Sequence, residues 1–282
     1  MSVAWALTIS IDDQFFTSNI AIDGQTNSDN PYDAPLAALA ANFNTLYLKR
    51  SSAGIESAEP QTPLTAIAKR LGATLQEGKA RINIRDRRLS GLYFGELLVE
   101  KLKHYQIRSN GPVSSGVVPP NARLIYRHYN SHELVTVLQA MLRYSTNFIA
   151  NQIFLMLGAE YHGGPATLEK AQNYANRRIE SQFNWTTFHI QEGAGLSRRN
   201  KISATQFIEL LYEFMPYREL LASKTDGIYA KTGTLRGVSC YAGFINSSDG
   251  PAPFALFINS PVPFNFRQKA ARELQQLIEK SE

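Results

Sequence analysis

The sequence contains one cysteine in 282 residues, so no disulfide bond can form within the chain. This residue, Cys240, lies in an apolar run that is typical of a strand, and we interpret it as a small core residue rather than a reactive thiol. The five histidines are scattered, without the spacing that metal ligands require. We therefore predict no structural metal and no cofactor.

The sequence also has no long apolar run and no basic leader. Its first residues read MSVAWALTISIDD, and the short apolar stretch is followed at once by acidic residues. This pattern matches neither a secretory signal peptide nor a membrane span, so we predict no transmembrane segment. Taken by itself, the start of the chain predicts a cytosolic protein.

The excess of positive charge is small and dispersed. The net charge is +5, and the 44% hydrophobic and 19% charged residues are typical of a globular protein. The basic residues form short clusters without a long run or a nucleic-acid motif. We interpret them as a solvated surface and predict no nucleic-acid partner, because such binding would rest on charge alone and would weaken steeply with salt.

The first part of the chain combines strand and loop patterns with two helices. Alternation of apolar with polar residues predicts strands at 4–12, 42–50 and 79–88. Residues 64–71 and 93–105 have the spacing of short helices.

A domain boundary is predicted at residues 110–121, NGPVSSGVVPPN, which are rich in Gly, Ser and Pro and show no periodicity. We therefore predict a strand-rich accessory domain at 1–120 and a second domain at 121–282.

The second domain is predicted to begin with two apolar helices. Residues 130–144 have one apolar face and open with a capping box formed by Asn130 and Glu133. The next helix starts near Phe148, and Gly158 is predicted to be its C-cap.

Further elements complete the pattern. Residues 167–183 predict a mostly polar helix, Ser203 and Gln206 cap another, and 239–246 with 253–260 predict an antiparallel hairpin. The chain then ends in an amphipathic helix, whose predicted apolar face consists of Phe266, Ala270, Leu274 and Leu277.

Three polar features of this second domain could carry chemistry. Ser-Thr-Asn at 145–147 separates two helices, EGAGLSRRN at 192–200 forms a Gly-rich loop, and Lys-Thr-Gly-Thr at 231–234 begins an apolar strand. Each is weak alone, because a serine at a helix break is most often an N-cap and a three-residue pattern arises by chance.

In this order, the three features resemble the layout of the penicillin-recognising serine acyl transferases. The motif set of that group is Ser-x-x-Lys, Ser-x-Asn and Lys-Thr-Gly, and the second and third of these match residues 145–147 and 231–233. The blocks NPYDAPLAALAANFNTL, SAEPQTPL, YSTNFIANQIFLMLGA, EGAGLSRRNKIS and YAKTGTLRGVSCYAGFI resemble the D-alanyl-D-alanine carboxypeptidase/endopeptidase family, the low-molecular-mass class C penicillin-binding proteins. The similarity extends over nearly all of the chain. It implies a mixed α/β (α+β) fold: a transpeptidase domain like those of penicillin-binding proteins and β-lactamases, with an antiparallel sheet, preceded by a strand-rich insert domain.

The resemblance implies that residues 231–234 bind the substrate. Lys231 would supply positive potential for the terminal carboxylate of a peptide that ends in D-Ala-D-Ala, and Thr232 and Thr234 would donate hydrogen bonds to it. Gly233 has no side chain that would block a peptide lying along the strand edge.

It also implies a catalytic set of Ser145, Asn147 and Lys231. Ser145 would relay a proton toward the leaving amine, and Asn147 would hold the substrate's amide carbonyl and orient the lysine of the Ser-x-x-Lys pair. The central residue of the triplet is Thr146, where Asp is commoner in the family.

The nucleophile of the family is missing from the motif set. None of the serines is followed by a lysine three residues later, and Thr167 with Lys170 is a weak substitute because it lies after Ser-x-Asn and resembles an N-cap. The resemblance thus implies that residue 1 lies within the insert domain, and that the catalytic helix and export signal are not part of this chain. We expect apolar surface to be uncovered, with marginal stability or association as the result.

Two functions stay open from the sequence. The first is a serine-type D-Ala-D-Ala carboxypeptidase or endopeptidase that acts on peptidoglycan stem peptides in the periplasm or cell envelope, with β-lactams as inhibitors. The chain as given would be inactive without its nucleophile. The second is a non-catalytic module that binds peptidoglycan peptides or penicillin.

Overall fold

A computed structural model describes residues 6–109 and 111–281, and it has the mixed helix and sheet composition predicted from the sequence. The predicted strand at 4–12 falls partly outside the described residues. The helices of the described part are, in chain order, α1 (Ala66–Gly72), α2 (Arg87–His104), α3 (Leu134–Tyr144), α4 (Asn147–His162), α5 (Leu168–Phe183), α6 (Ala204–Phe214) and α7 (Phe266–Ser281). None of them is long and apolar enough to cross a membrane.

The strands of the described residues are β1 (Ala6–Leu7), β2 (Ser10–Ile11), β3 (Thr45–Ser51), β4 (Gly54–Ser57), β5 (Gly78–Asn83), β6 (Arg108–Ser109), β7 (Ser114–Ser115), β8 (Ser223–Thr225), β9 (Ile228–Leu235), β10 (Val238–Ser247) and β11 (Gly250–Ile258). Short 3-10 turns occupy Pro31–Asp33, Asn42–Asn44 and Met215–Leu220.

The chain divides into two compact units. The first comprises Met1–Arg127 and Asn147–Tyr174, and the second comprises His128–Thr146 and Ala175–Glu282. The domain boundary placed at residue 120 from sequence stays a prediction.

The first unit contains a three-stranded antiparallel sheet with the order β4-β3-β5, together with the small parallel pairs β1-β6 and β2-β7. Alternate residues of β3 face α1 and α2, so that one core forms between sheet and helices. Its buried members are Leu46, Leu48, Ile67, Ala68, Ile84 and Tyr93.

Two predicted boundaries in the first unit are wrong. The strand predicted over 79–88 ends at Asn83, because Asp86 accepts hydrogen bonds from the backbone of Arg88 and Leu89 and thereby caps α2. Gly158 is not a C-cap but a buried position inside α4, where a Cβ atom would lie 2.4 Å from the backbone nitrogen of Ala171 on α5. Glycine therefore lets these two helices approach closely.

The second unit is built on a four-stranded antiparallel sheet with the order β11-β10-β9-β8. The hairpin predicted from the sequence is confirmed as β10 and β11, and β9 pairs with the other side of β10. Alternate residues of the sheet face opposite sides, which produces two cores. One core contains Ile228, Ala230, Tyr241, Ile245, Phe254 and Ala271 of α7; the other contains Leu211, Leu221, Ala242 and Phe244.

The predicted face of α7 is wrong by one position. Ala271 is 2% exposed and packs on the sheet, whereas Leu277 is 62% exposed. Arg267 is buried and lies one turn before Ala271, so a charged residue occupies the buried face. An arginine reads as a solvent-facing residue in the sequence, and this shifts the predicted face onto Phe266, Ala270, Leu274 and Leu277.

The start of α3 also differs from its prediction. The helix begins at Leu134, and its N-cap Glu133 makes no side-chain capping hydrogen bond. Asn130 instead accepts from the backbone N–H of His132 at 3.0 Å, which is a local turn that competes with helix initiation. The capping box predicted for Ser203 and Gln206 at the start of α6 is confirmed.

Candidate active site

Ser145 ends α3 in an unusual backbone conformation. Its φ of 54° and ψ of 50° are left-handed, and the N–H groups of Ser145 and Thr146 both donate to the carbonyl of Met141. Ser145 is thus not an N-cap, the usual role of a serine at a helix break, but occupies the position after a helix where glycine is usual. A non-glycine residue in this region costs about 1–2 kcal/mol, and such strain is concentrated at functional sites.

Lys231 lies half-buried in the middle of β9, three residues after the strand begins at Ile228. Its ammonium Nζ donates to the Oγ of Ser145 at 2.5 Å and to the carbonyl of Thr232 at 2.6 Å. The structure thus brings together two of the residues that the sequence analysis assigned to catalysis, which are 86 positions apart.

Asn147, the third predicted catalytic residue, is the first residue of α4. It belongs to the first compact unit, whereas Ser145 and Lys231 belong to the second. Its role stays a prediction.

The edge of β9 is open beside the Lys-Thr-Gly-Thr segment. On one side β9 pairs with β10 along its whole length, but on the other side β8 pairs only with Ile228 and Tyr229. Beyond a 3.4 Å hydrogen bond from Ala230 N–H to Ala222, no strand of the described residues continues this pairing.

The register determines which backbone groups face that open edge. Asn246 donates its N–H to the carbonyl of Gly227, and hydrogen-bonded pairs alternate along an antiparallel ladder. Gly233 therefore bonds toward β10, while the N–H and C=O groups of Thr232 and Thr234 point to the open edge. An extended peptide can add to such an edge through its own main chain.

The side chains of the segment divide between the two faces of the sheet. Lys231 lies on the face away from α7, and Thr232 and Thr234 lie on the α7 face, in line with the buried Ala230. Thr234 is exposed, and Gly233 is exposed as well. The edge therefore presents an ammonium on one side and a hydroxyl on the other.

The Gly-rich loop at 192–200 is held in shape by a buried carboxylate. Glu192 is 3% exposed and accepts from the backbone of Ala194 at 2.8 Å and of Ser197 at 3.2 Å, and from the amide of Asn200 at 2.7 Å. Arg198 of this loop donates to the carbonyl of Arg236 at 2.5 Å. The loop is thereby joined to the turn that follows β9.

Sequence reasoning missed one residue beside the Lys-Thr-Gly-Thr segment. Arg267 of α7 is 5% exposed, and its guanidinium donates to the hydroxyl of Thr234 at 2.7 Å and to the carbonyl of Gly233 at 2.9 Å. The only signal in the sequence is an arginine at the place where an amphipathic helix should bury an apolar residue.

Cys240 lies opposite Gly233 on β10. Burial raises the pKa of its thiol, and a backbone hydrogen bond with Ile258 and the charge of Arg267 offset this only in part. The thiol stays protonated at neutral pH, in agreement with the interpretation of Cys240 as an unreactive residue of the strand.

Thr167 is the N-cap of α5, as the sequence analysis proposed. Its Oγ1 accepts from the backbone N–H of Lys170 at 3.1 Å, and the ammonium of Lys170 donates to the carbonyls of Gly163 and Pro165. This lysine is engaged by backbone carbonyls and not by the threonine hydroxyl, so the pair has no arrangement that would activate a nucleophile.

No group of three or more His, Cys, Asp or Glu side chains is placed to hold a metal ion among residues 6–109 and 111–281.

Comparison with known proteins gives a consistent set of relatives. The family described as D-Ala-D-Ala carboxypeptidase 3 (S13) matches residues 72–223, more than half of the chain. D-alanyl-D-alanine carboxypeptidase DacB of Haemophilus influenzae is 24% identical over 205 residues, which cover 64% of this chain and 43% of the relative. The D-alanyl-D-alanine carboxypeptidase of Actinomadura sp. strain R39 is 23% identical over 214 residues, 64% of this chain and 40% of the relative. The chain thus spans less than half the length of these two relatives.

Solved structures show the same likeness in the fold. Penicillin binding protein 4 (dacB) from Haemophilus influenzae superimposes with a TM-score of 0.70 at 18% identity, covering 94% of this chain and 74% of that chain. The same protein complexed with a novel β-lactam superimposes with a TM-score of 0.65 at 18% identity, covering 88% and 71%.

Proposed function

Because this chain belongs to the D-Ala-D-Ala carboxypeptidase 3 (S13) family, we propose that it carries the substrate-binding edge of a serine-type D-Ala-D-Ala carboxypeptidase or endopeptidase. The substrate would be a peptidoglycan stem peptide, and the place of action the cell envelope. The observation that carries the proposal is the contact of the Lys231 ammonium with the Ser145 hydroxyl beside the open edge of β9.

Recognition would follow from the chemistry of that edge. A peptide that ends in D-Ala-D-Ala adds to β9 through the edge-facing N–H and C=O groups of Thr232 and Thr234, where the Thr232 carbonyl also accepts from Lys231. Its terminal carboxylate pairs with the ammonium of Lys231 and accepts hydrogen bonds from the hydroxyls of Thr232 and Thr234. A β-lactam with a carboxylate beside its ring would occupy the same edge as an inhibitor.

Catalysis by the family chemistry would use the Lys231–Ser145 contact for proton transfer. In the family chemistry the serine of the Ser-x-x-Lys pair, which has no counterpart among the 282 residues, attacks the carbonyl carbon and gives its proton to the lysine of that pair; the C–N bond breaks, and the departing amine nitrogen takes a proton. Ser145 Oγ accepts a hydrogen bond from Lys231, so its own proton can pass to that nitrogen while Lys231 replaces it. Water then hydrolyses the acyl-enzyme ester. Asn147 would orient the substrate in this scheme.

Binding of the carboxylate is tested by isothermal titration calorimetry. An N-acylated peptide ending in D-Ala-D-Ala is compared with the same peptide carrying a C-terminal amide, on the wild-type chain and on Lys231→Met. We expect wild type to prefer the carboxylate by about tenfold or more, since one charge-assisted hydrogen bond contributes about 1.5–3 kcal/mol. Lys231→Met should lose this preference.

The control variant is Lys269→Met, which removes an equal charge from a side chain that is 76% exposed on α7. It should leave the preference unchanged. Equal affinity of the wild-type chain for the two peptides would contradict the proposed function.

The second candidate function is a non-catalytic peptide-binding or penicillin-binding module, and it is favoured by the lack of any Ser-x-x-Lys pair in the 282 residues. We propose that the polypeptide as given binds without forming an acyl-enzyme. Incubation with a β-lactam followed by intact-mass spectrometry should show no added mass while the protein stays folded. A gain of one acyl group would refute this, and peptide mapping would then identify the nucleophile.

A further inference from the structure

Arg267 is a buried cation without an acidic partner. Only 5% of the residue is exposed, and in the part of the chain that the structure describes no carboxylate forms an ion pair with it. Its Nε makes no hydrogen bond within the described residues. A buried arginine is usually paired, because an isolated charge is costly to remove from water.

The hydrogen bonds of Arg267 are directed at the Lys-Thr-Gly-Thr segment. One terminal nitrogen, Nη1, donates to Thr234 Oγ1 at 2.7 Å and to the carbonyl of Gly233 at 2.9 Å. The same nitrogen lies 3.4 Å from the carbonyl of Cys240 and 3.5 Å from Ser239 Oγ. The contacts fix the guanidinium against the exposed end of β9.

The contact with Thr234 determines where its hydroxyl proton can point. A guanidinium has donors and no acceptor, so the Thr234 oxygen must be the acceptor in this bond. The single hydroxyl proton is then directed away from Arg267. The Thr234 side chain is exposed at the open edge, so this proton is available to an acceptor from outside.

The positive charge of Arg267 also lies beside the open edge of β9. Lys231 lies on the opposite face of β9, so two cations flank the edge from its two sides. A carboxylate at that edge would be the missing counter-charge for the buried guanidinium. Because the Arg267 guanidinium is buried, water screens its attraction for a carboxylate less than it would screen the same pair at an exposed site.

We propose that Arg267 is a positioning residue for the substrate's terminal carboxylate: it holds Thr234 as a hydrogen-bond donor and adds the second positive charge. This inference rests on the proposed function, because it presupposes that the edge of β9 binds a peptide carboxylate. Arg267 does not touch the substrate; it acts through Thr234 and through its charge.

The test is a double-mutant cycle with Arg267→Gln and Thr234→Val. The quantity measured is the carboxylate preference, defined as the Kd of the amidated D-Ala-D-Ala peptide divided by the Kd of the free-acid peptide. Each single variant should reduce this preference, and the double variant should reduce it by less than the product of the two single effects, because both single variants lose the positioned Thr234 hydroxyl. Arg272→Gln, an exposed arginine on the same helix, is the matched control and should retain the wild-type value.

The outcomes separate the two claims. A wild-type chain that binds neither peptide, or binds both equally, refutes the proposed function. A wild-type chain that prefers the free acid while Arg267→Gln keeps that preference overturns the role of Arg267. Loss of thermal stability without a change in preference would likewise mean that Arg267 only anchors α7. If Arg267→Gln does not fold, an unchanged preference in Thr234→Val overturns the proposal, since Arg267 acts through that hydroxyl.

Discussion

Ser145 combines a strained backbone with a hydroxyl that contacts the Lys231 ammonium. A glycine at the same position would adopt the left-handed conformation without strain, and helices commonly end on one. The serine at this position therefore lowers stability, and its hydroxyl contacts Lys231 in return.

This arrangement predicts that Ser145→Gly is more stable than Ser145→Ala by about 1 kcal/mol, because only alanine keeps the steric cost of a Cβ atom in the left-handed region. Both variants lack the hydroxyl, so both should impair any activity that depends on it. Thermal or urea denaturation of the two variants measures the difference. Equal stability of the two would show that the backbone at residue 145 is not strained.

Asp33 holds together a loop of the first unit through hydrogen bonds. Its carboxylate accepts from the backbone N–H of Thr26 at 2.5 Å and from the hydroxyls of Thr26 and Ser28 at 2.6 and 2.5 Å. Burial raises the pKa of Asp33, but these hydrogen bonds outweigh it and hold the pKa below its usual value. The stabilisation is therefore present above the unfolded-state pKa of about 3.9 and is lost as the pH falls through the lower folded-state pKa.

We therefore predict that Asp33→Asn destabilises the chain at neutral pH and that its difference from wild type shrinks as the pH falls below about 4. Urea denaturation between pH 3 and 7 measures this. Asp249→Asn, in the exposed turn between β10 and β11, serves as the control and should show no such dependence. A gap between Asp33→Asn and wild type that stays constant over this range would contradict the account.

Those helices and strands that local patterns determine are predictable from the sequence. The β10–β11 hairpin and the Ser203–Gln206 capping box follow from turn residues and short-range hydrogen bonds, and both are present. Features that tertiary contacts determine are not. Gly158 reads as a helix end in the sequence, but its place is set by the close approach of α5.

The same limit applies to the candidate site. The residue types drew attention to the segments at 145–147 and 231–234, and the resemblance to a known family implied their chemistry. The contact of Lys231 with Ser145 and the open edge of β9 depend on how α3 and the sheet pack. Arg267 was missed because a helix pattern gives no reason to bury a charge.

The corrected face of α7 makes a prediction about its side chains. Ala271→Gln places a longer polar side chain against the buried face of the sheet and should cost about 1–3 kcal/mol, because this position is packed and leaves no room for it. Leu277→Gln changes an exposed position and should alter stability by about 0.5 kcal/mol or less. Denaturant unfolding of both variants measures this, and similar costs at the two positions would restore the face predicted from the sequence.

At the scale of the whole molecule, apolar side chains are exposed in the stretch that follows the Gly/Ser/Pro-rich segment. Leu124, Ile125 and Tyr126 are 67%, 91% and 77% exposed. Contiguous apolar exposure of this kind favours contact with another protein surface.

We expect the isolated chain to associate with itself as its concentration rises, and sedimentation velocity over a range of concentrations measures this. The double variant Leu124→Ser and Ile125→Ser should shift the protein toward the monomer. A wild-type chain that stays monomeric at the highest concentration tested would show that residues 124–126 do not mediate self-association. The net charge of +5 opposes association, so added salt should strengthen it.

The proposed function requires the open edge of β9 to bind the carboxylate end of a D-Ala-D-Ala peptide, and backbone NMR of the labelled chain shows residue by residue where the peptide binds. Titration with the free-acid peptide should shift the amide signals of Lys231, Thr232, Gly233 and Thr234 more than those of β11, and the amidated peptide should shift them far less. Shifts that are absent, located elsewhere, or equal for the two peptides would contradict the account.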